Sequence, residues 1–219
     1  MTVLHKMEMM NQKIILVGGG GHALSLLEAV PDPSAVAGYL DLKPVDSMPV
    51  DYLGNDSDAP GFFSLGAAFH IAFVYAGMPG MEARRKLIGL YSRQAPRFAS
   101  IIAGTAIITP GSSVGEGAAV LNGAIVNRAR ISPHAIINSG AIIEHDSIIG
   151  DNSFIGPGTV IGGGTTVGSD CFIGLGARLK NGITIAPSTV IGMGAVVTHD
   201  ISEPGIYHGF PLRKYHPKI

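Results

Sequence analysis

From Ile137 to Val197 every sixth residue is aliphatic: Ile137, Ile143, Ile149, Ile155, Ile161, Val167, Ile173, Leu179, Ile185, Ile191 and Val197. Eleven matches in one register fit neither a helix nor an ordinary strand, whose side-chain periods are about 3.6 and 2. A period of six is that of a hexapeptide repeat, in which each unit is one short strand and a tight corner. Three units make a triangular coil, and stacking buries the face that no coil could bury alone. Glycine often follows the aliphatic (Gly150, Gly156, Gly162, Gly168, Gly174, Gly192). Four positions after it come small or β-branched residues: Ser153, Thr159, Thr165, Cys171, Ala177, Thr189 and Ala195. The pattern predicts a parallel β-solenoid with the aliphatic stack as its core, so chemistry belongs at the corners and on the outside.

The spacing continues upstream through Ile102, Ile108, Val114, Val120 and Val126, after which Ile131 arrives one residue early and Ile137 resumes the count. A five-residue rung there shifts the coil without ending it. The thirty-one glycines and 46% hydrophobic residues follow from stacked corners and short strands. A net charge of −1 with only 14% charged residues argues against nucleic acid as a partner. No apolar run is long enough to span a membrane, and the leader, with Met1, Met7, Met9 and Met10 among charges, does not read as an export sequence. A cytoplasmic location is expected. The one cysteine, Cys171, occupies a small-residue position of the repeat and reads as a buried thiol.

Ahead of the solenoid the pattern changes. Lys13 to Val17 is a β-rich run ending in Gly18-Gly19-Gly20-Gly21, and His22 to Val30 has helical character with Leu24, Leu27 and Val30 on one side. Val36 to Leu40 is a second β run that closes on Asp41, completing a βαβ unit with an acidic residue about twenty positions after the turn. His70 to Tyr75 is a third apolar run, Met81 to Tyr91 reads as a helix, and Asp46 to Gly61 is irregular. The expected organisation is a leader over 1–12, a small Rossmann-like α/β domain over 13–98, and a left-handed parallel β-helix with its tail over 99–219. The glycine turn allows a phosphate to approach the backbone, and the helix N-terminus adds N–H donors and a favourable dipole. No second mononucleotide-binding half follows, so a nucleotide diphosphate fits better than a dinucleotide. A turn that only packs helix on sheet remains the alternative.

This combination of a Gly-His turn in a small α/β domain, a solenoid carrying Glu144-His145-Asp146, and a Gly209-Phe210-Pro211-Leu212-Arg213 tail resembles the hexapeptide-repeat sialic acid and nucleotide-sugar acetyltransferases of bacterial glycan assembly. The likeness runs from Lys13 to Tyr215 and is nearest to N-acetyltransferases acting on UDP-linked 4-amino-4,6-dideoxy sugars or GDP-perosamine. The resemblance implies acetyl-CoA as donor, a homotrimer with active sites between subunits, and a nucleotide-sugar acceptor. It assigns Gly18, Gly19, Gly20, Gly21, His22 and Asp41 to the acceptor, with His22 on the phosphate or sugar and Asp41 on the base or ribose. Gly174, Leu175, Met193, Pro211, Arg213 and Lys214 fall to the cofactor, with Arg178 and Lys180 as further positive charge. Nine residues beyond the catalytic histidine the family can carry a second histidine. Here that position is Phe154, expected to form an apolar wall against the pantetheine arm, with oxyanion stabilisation left to backbone N–H groups near Gly162 to Gly164.

Acetyl transfer to an amine needs a base, and histidine titrates near neutral pH. Of eight histidines, His145 alone lies in the central solenoid between two carboxylates, and a carboxylate neighbour can fix the imidazole tautomer. By resemblance Asp146 is favoured over Glu144 as that partner, and Asn138 as a polar group orienting the site. Asp and Asn are also common corner residues. His134, His199 and His208 read as structural or exposed. An O-acetyltransferase of free or CMP-linked sialic acid would share His145 and the donor and differ in acceptor. A non-catalytic nucleotide-sugar-binding scaffold would keep the glycine turn without needing His145. A metal enzyme on this solenoid would need several histidines converging on an ion; position 150 is Gly, and no metal is expected.

Overall fold

The computed structural model describes residues 13–74, 76–93, 97–209 and 213–214; the methionine-rich leader and Pro211 lie outside them. In the first part Ile14–Val17 forms β1, Gly21–Ala29 helix α1, Val36–Leu40 β2, Tyr52–Gly54 β3, Ala59–Phe63 the short helix α2, Ala68–Ile71 β4 and Met78–Ser92 helix α3. The sheet order is β3-β2-β1-β4 with every pair parallel. Parallel strands covered on both faces read as continuous apolar runs, and Ile15, Leu16, Val17, Leu40, Phe69 and Ile71 are all buried. Helix α3 begins three residues before the expected Met81, because Gly77 (φ 86°) turns the chain and Pro79 suits a first helical turn. The segment expected to be irregular contains β3 and α2; both are too short to show a period.

The solenoid is built of two-residue strands whose second residue points inward. Successive coils pair at a spacing of eighteen residues, as in Ile142↔Val160 and Ile143↔Ile161. Across the short rung the spacing drops to seventeen, as in Ile142↔Ile125, so the early Ile131 is absorbed in a single coil. The inward aliphatics from Ile137 to Val197 are at most 4% exposed. Two kinds of small residue make the corners possible. The glycine after the inward residue lies against the next coil, where a Cβ on Gly156 would come 2.6 Å from the backbone nitrogen of Leu175. Three residues after the inward position the backbone turns left-handed, at Gly158 and Gly164 but also at Asp146, Asn152 and Asp170, since Asp and Asn tolerate that conformation best after glycine.

The three faces differ. One, from Ile101–Ile102 to Ile206–His208, carries the α/β domain: Leu16, Ala23, Leu26 and Ala29 share one apolar cluster with Ile101, Ala119, Leu121, Ile136 and Phe154. A second presents Ile107, Ile125, Ile142, Val160, Arg178 and Val196 outward. The third outer row is more polar, with Ser113, Arg130, Ile148, Thr166 and Thr184. Beyond the last coil Ile206–His208 pairs in parallel with Val190–Ile191 and antiparallel with Arg213–Lys214. No described helix is long and apolar enough to cross a membrane.

Candidate active site

His145 and Asp146 form the corner between the strands Ile142–Ile143 and Ile148–Ile149. The left-handed backbone at Asp146 (φ 60°) turns its carboxylate back on its neighbour, and His145 Nδ1 lies 2.9 Å from Asp146 Oδ2. Both side chains are mostly exposed, at 59% and 69%. Asp146 is held below the ordinary carboxylate range, chiefly by that hydrogen bond. With Nδ1–H donated to Asp146, Nε2 keeps its lone pair, the form a general base requires. One coil on, eighteen residues later, Gly163 lies beneath the ring, where a Cβ would come 2.8 Å from Nε2. The missing side chain at 163 leaves room beside the basic nitrogen.

The other expected groups divide. Glu144 does not approach the imidazole through a hydrogen bond; its Oε2 accepts from Asn127 Nδ2 at 2.9 Å, and Asn127 lies 3.4 Å from Thr109, a polar ladder up the coils. Asn138 sits at the preceding corner, where its Oδ1 accepts from Ser139 N–H at 2.8 Å and orders its own turn. Of the backbone donors expected for the oxyanion, Gly162 N–H is bonded to Leu179 O and Gly164 N–H to His145 O. Coil stacking occupies both; among the described residues Gly163 N–H has no such partner.

In the α/β domain the four glycines have different jobs. Gly18 (φ 108°) passes 3.0 Å from Phe73 N, measured from where its Cβ would be, and a Cβ on Gly19 would strike the Tyr39 ring. Gly20 is the N-cap of α1, and the space around Gly20 and Gly21 is open. This second pair leaves its surroundings open to a ligand. Asp41 is less free than expected for a base or ribose contact: Oδ2 accepts from Gly19 N–H (2.7 Å) and Oδ1 from Leu42 N–H (2.6 Å). It braces the glycine turn. Beside it opens a cavity of about 300 Å³ lined by Gly18, Asp41, Leu42, Asp56, Phe73 and Leu87 among others, at the carboxyl ends of β1 and β2, where open α/β sheets bind ligands.

His22, expected on the phosphate or sugar, lies beside Phe154. Its Nε2 is buried without a partner, and the ring meets Phe154 edge-on with centroids 6.5 Å apart. Burial and, after it, the Arg84 charge push its pKa down to about 4, so near neutral pH it carries no charge to attract an anion. Phe154 stacks on Phe172 with centroids 4.8 Å apart and is 8% exposed. A wall for pantetheine needs an uncovered ring face, and here α1 and Phe172 cover it. His134, expected to be idle, packs edge-on against Phe98 and is depressed to about 4, mainly by burial. His70 is fully buried, with its pKa lowered to about 3 by burial and with Nδ1 donating to Ala99 O at 2.9 Å.

At the corner between the face that carries the α/β domain and the second face, Leu175 and Met193 project 56% and 74% exposed on successive coils. Gly174 allows that stacking, since a Cβ there would meet Met193 N at 2.5 Å. Arg178 and Lys180 are exposed nearby in sequence. Lys214 is already paired with Glu203 at 2.6 Å, and Arg213 joins the terminal strand through its backbone. Among the described residues no cluster of His, Cys, Asp and Glu is disposed to hold a metal ion. Gly163 was legible by adding one coil of eighteen residues to His145. His70 and Arg84 carried no such signal, lying in a short strand and a basic helix.

A family model described as bacterial transferase hexapeptide (six repeats) matches residues 128–163. Among solved structures, PerB from Caulobacter crescentus in complex with CoA and GDP-perosamine is 30% identical, over 93% of this chain and 97% of that one, with a TM-score of 0.83. A histidine-to-asparagine mutant of the same perosamine N-acetyltransferase, again with CoA and GDP-perosamine, aligns with a TM-score of 0.84 at 30% identity over 94% and 97%. The acetyltransferase domain of PglB from Neisseria gonorrhoeae shares the fold at 23% identity, over 94% of this chain and all of that one, with a TM-score of 0.82. No curated protein sequence is matched.

Proposed function

The chain belongs to the nucleotide-sugar N-acetyltransferase family of hexapeptide-repeat acyltransferases, and from that premise we propose that it moves the acetyl group of acetyl-CoA to the 4-amino group of a nucleotide-linked amino sugar. The observation that carries the reading is the His145–Asp146 pair with its open Nε2 above Gly163, in a chain alike end to end to an enzyme crystallised with CoA and GDP-perosamine. The neutral amine attacks the thioester carbonyl carbon while His145 Nε2 accepts the amine proton. Asp146 on Nδ1 stabilises the imidazolium. Gly163 N–H is the donor left free for the developing oxyanion. The C–S bond then breaks, and the imidazolium returns the proton to the departing CoA sulfur.

In this reading the cavity beside Asp41 takes the nucleotide and the open side of Gly20-Gly21 its phosphates. Acetyl-CoA lies along the solenoid at Leu175 and Met193, with Arg178 and Lys180 near its phosphates. The row Ile107, Ile125, Ile142, Val160 and Val196, interrupted by Arg178, becomes the contact of a homotrimer, bringing His145 of one subunit against the cofactor surface of the next. Analytical ultracentrifugation should give three times the chain mass, and a monomer would remove this part of the proposal. The deciding experiment is thiol release from acetyl-CoA with GDP-perosamine and UDP-linked 4-amino sugars, with sialic acid and CMP-sialic acid alongside. CoA release with an amino sugar supports N-acetylation; release with a sialic acid alone replaces it with O-acetylation, and silence with all acceptors refutes both.

A further inference from the structure

Arg84 of α3 is 1% exposed, although Arg85 and Lys86 beside it reach solvent. Its guanidinium joins three separate segments. Nη2 donates to Ile71 O at the end of β4 (3.3 Å), and Nη1 donates to His134 O in the short coil (2.9 Å) and to the side-chain oxygen of Asn152. Asn152 is held in turn: its Nδ2 donates to Asp170 Oδ1 at 2.7 Å and Met81 O at 3.3 Å, while Asp170 Oδ2 pairs with Arg85 at 3.1 Å. Asn152 and Asp170 are left-handed corner residues of neighbouring coils, at φ 55° and 59°.

Both ends of this link lead to the proposed site. Ile71 is in register with Val17, the residue before the glycine turn. Asn152 occupies the next corner after Asp146, with only the strand Ile148–Ile149 between them. Much of the seam is apolar, and apolar contact is non-directional. Burying a cation costs several kcal/mol that a well-packed apolar residue would avoid, so adhesion does not account for Arg84. A planar fork bonded to three fixed acceptors supplies direction.

We infer that Arg84 is a positioning residue that fixes the glycine-turn end of the α/β domain against the coil carrying His145, and so sets where the acceptor amine meets the base. The inference rests on the acetyl-transfer reading above. Asn152→Gly removes the acceptor while keeping the left-handed corner, Asn152→Asp combined with Asp170→Asn restores one without setting two carboxylates face to face, and Arg84→Lys keeps the charge without the fork. Asn152→Gly and Arg84→Lys should lower kcat/KM for the nucleotide sugar by about tenfold or more, because sub-ångström misplacement is felt in the transition state. KM for acetyl-CoA should stay within about twofold, and Asn152→Asp combined with Asp170→Asn should recover most of the loss. Hydrogen exchange, which needs no substrate, should quicken in residues 68–74 of Asn152→Gly and stay unchanged in the coils 137–149. Equal losses toward both substrates, no loss toward either, or unaltered exchange at 68–74 would overturn the positioning role. Absence of turnover in the wild-type protein with every acceptor would instead sink the acetyl-transfer reading, leaving the exchange result to judge the link.

Discussion

Replacing Gly163 by alanine adds one methyl group beside the proposed base and nothing else. Its Cβ would lie 2.8 Å from His145 Nε2, 2.9 Å from Cε1 and 3.2 Å from Cδ2, whereas ordinary contact begins at 3.4 Å. The imidazole must therefore retreat by about 0.6 Å. Since His145 is 59% exposed, it can swing outward at little conformational cost, and Gly163 itself has no left-handed backbone to strain. Stability should change by less than about 1 kcal/mol, as for other surface changes free of strain. The swing displaces Nε2 and disturbs the 2.9 Å bond to Asp146. If a misplacement near 1 Å costs about a hundredfold, kcat should fall on the order of tenfold. Gly164→Ala is the opposite case. It has open space, with Gly182 Cα at 3.9 Å, but φ of +68°, so it should cost about 1 to 2 kcal/mol in stability and leave kcat near wild type. Thiol release under saturating acetyl-CoA and thermal unfolding of both variants measure the contrast. Wild-type kcat in Gly163→Ala would refute the claim that His145 acts from this position.

His145→Ala should reduce kcat by at least about a hundredfold with cofactor affinity retained, as read by thiol release and calorimetry. Asp146→Asn keeps the corner conformation and should lower kcat by about tenfold or more by loosening the tautomer; an unchanged rate would make Asp146 a turn residue only. His22, His70 and His134 are depressed to about 4, 3 and 4 from 6.5 by burial, so the unfolded chain takes up protons first as pH falls. Stability should be full above about pH 6.5 and decline as pH falls from there toward about 4. His70→Gln should flatten the decline seen by thermal unfolding between pH 7 and 5, and a flat wild-type profile would contradict it. Phe154→Ala should cost about 3 kcal/mol, since the ring packs on Phe172 and α1 inside the seam; a neutral change in the denaturant midpoint would argue that the ring face is free.

The solenoid was legible because its order is local and repetitive. Each inward aliphatic packs on the residue eighteen later, so the period alone names the core, and even the short rung at Ile131 reappears as a seventeen-residue coil. The His145–Asp146 pair was legible for the same reason, being adjacent residues at a corner. The strand–glycine–helix start of the α/β domain also follows from short-range pattern. What linear order could not decide is which polar groups meet across elements. Asp41 turns back onto Gly19, Glu144 joins Asn127 one coil away, and Asn138 closes on Ser139. His22 and Phe154, over a hundred residues apart, share one buried seam, and Arg84 leaves a basic helix to bind three distant segments. Hydrophobic period determines which side of each element is buried, because burial is non-directional and sums along the chain. Hydrogen bonds need distance and angle, and those exist only once turns have closed and coils have stacked and, for Arg84, once the α/β domain has docked on the solenoid.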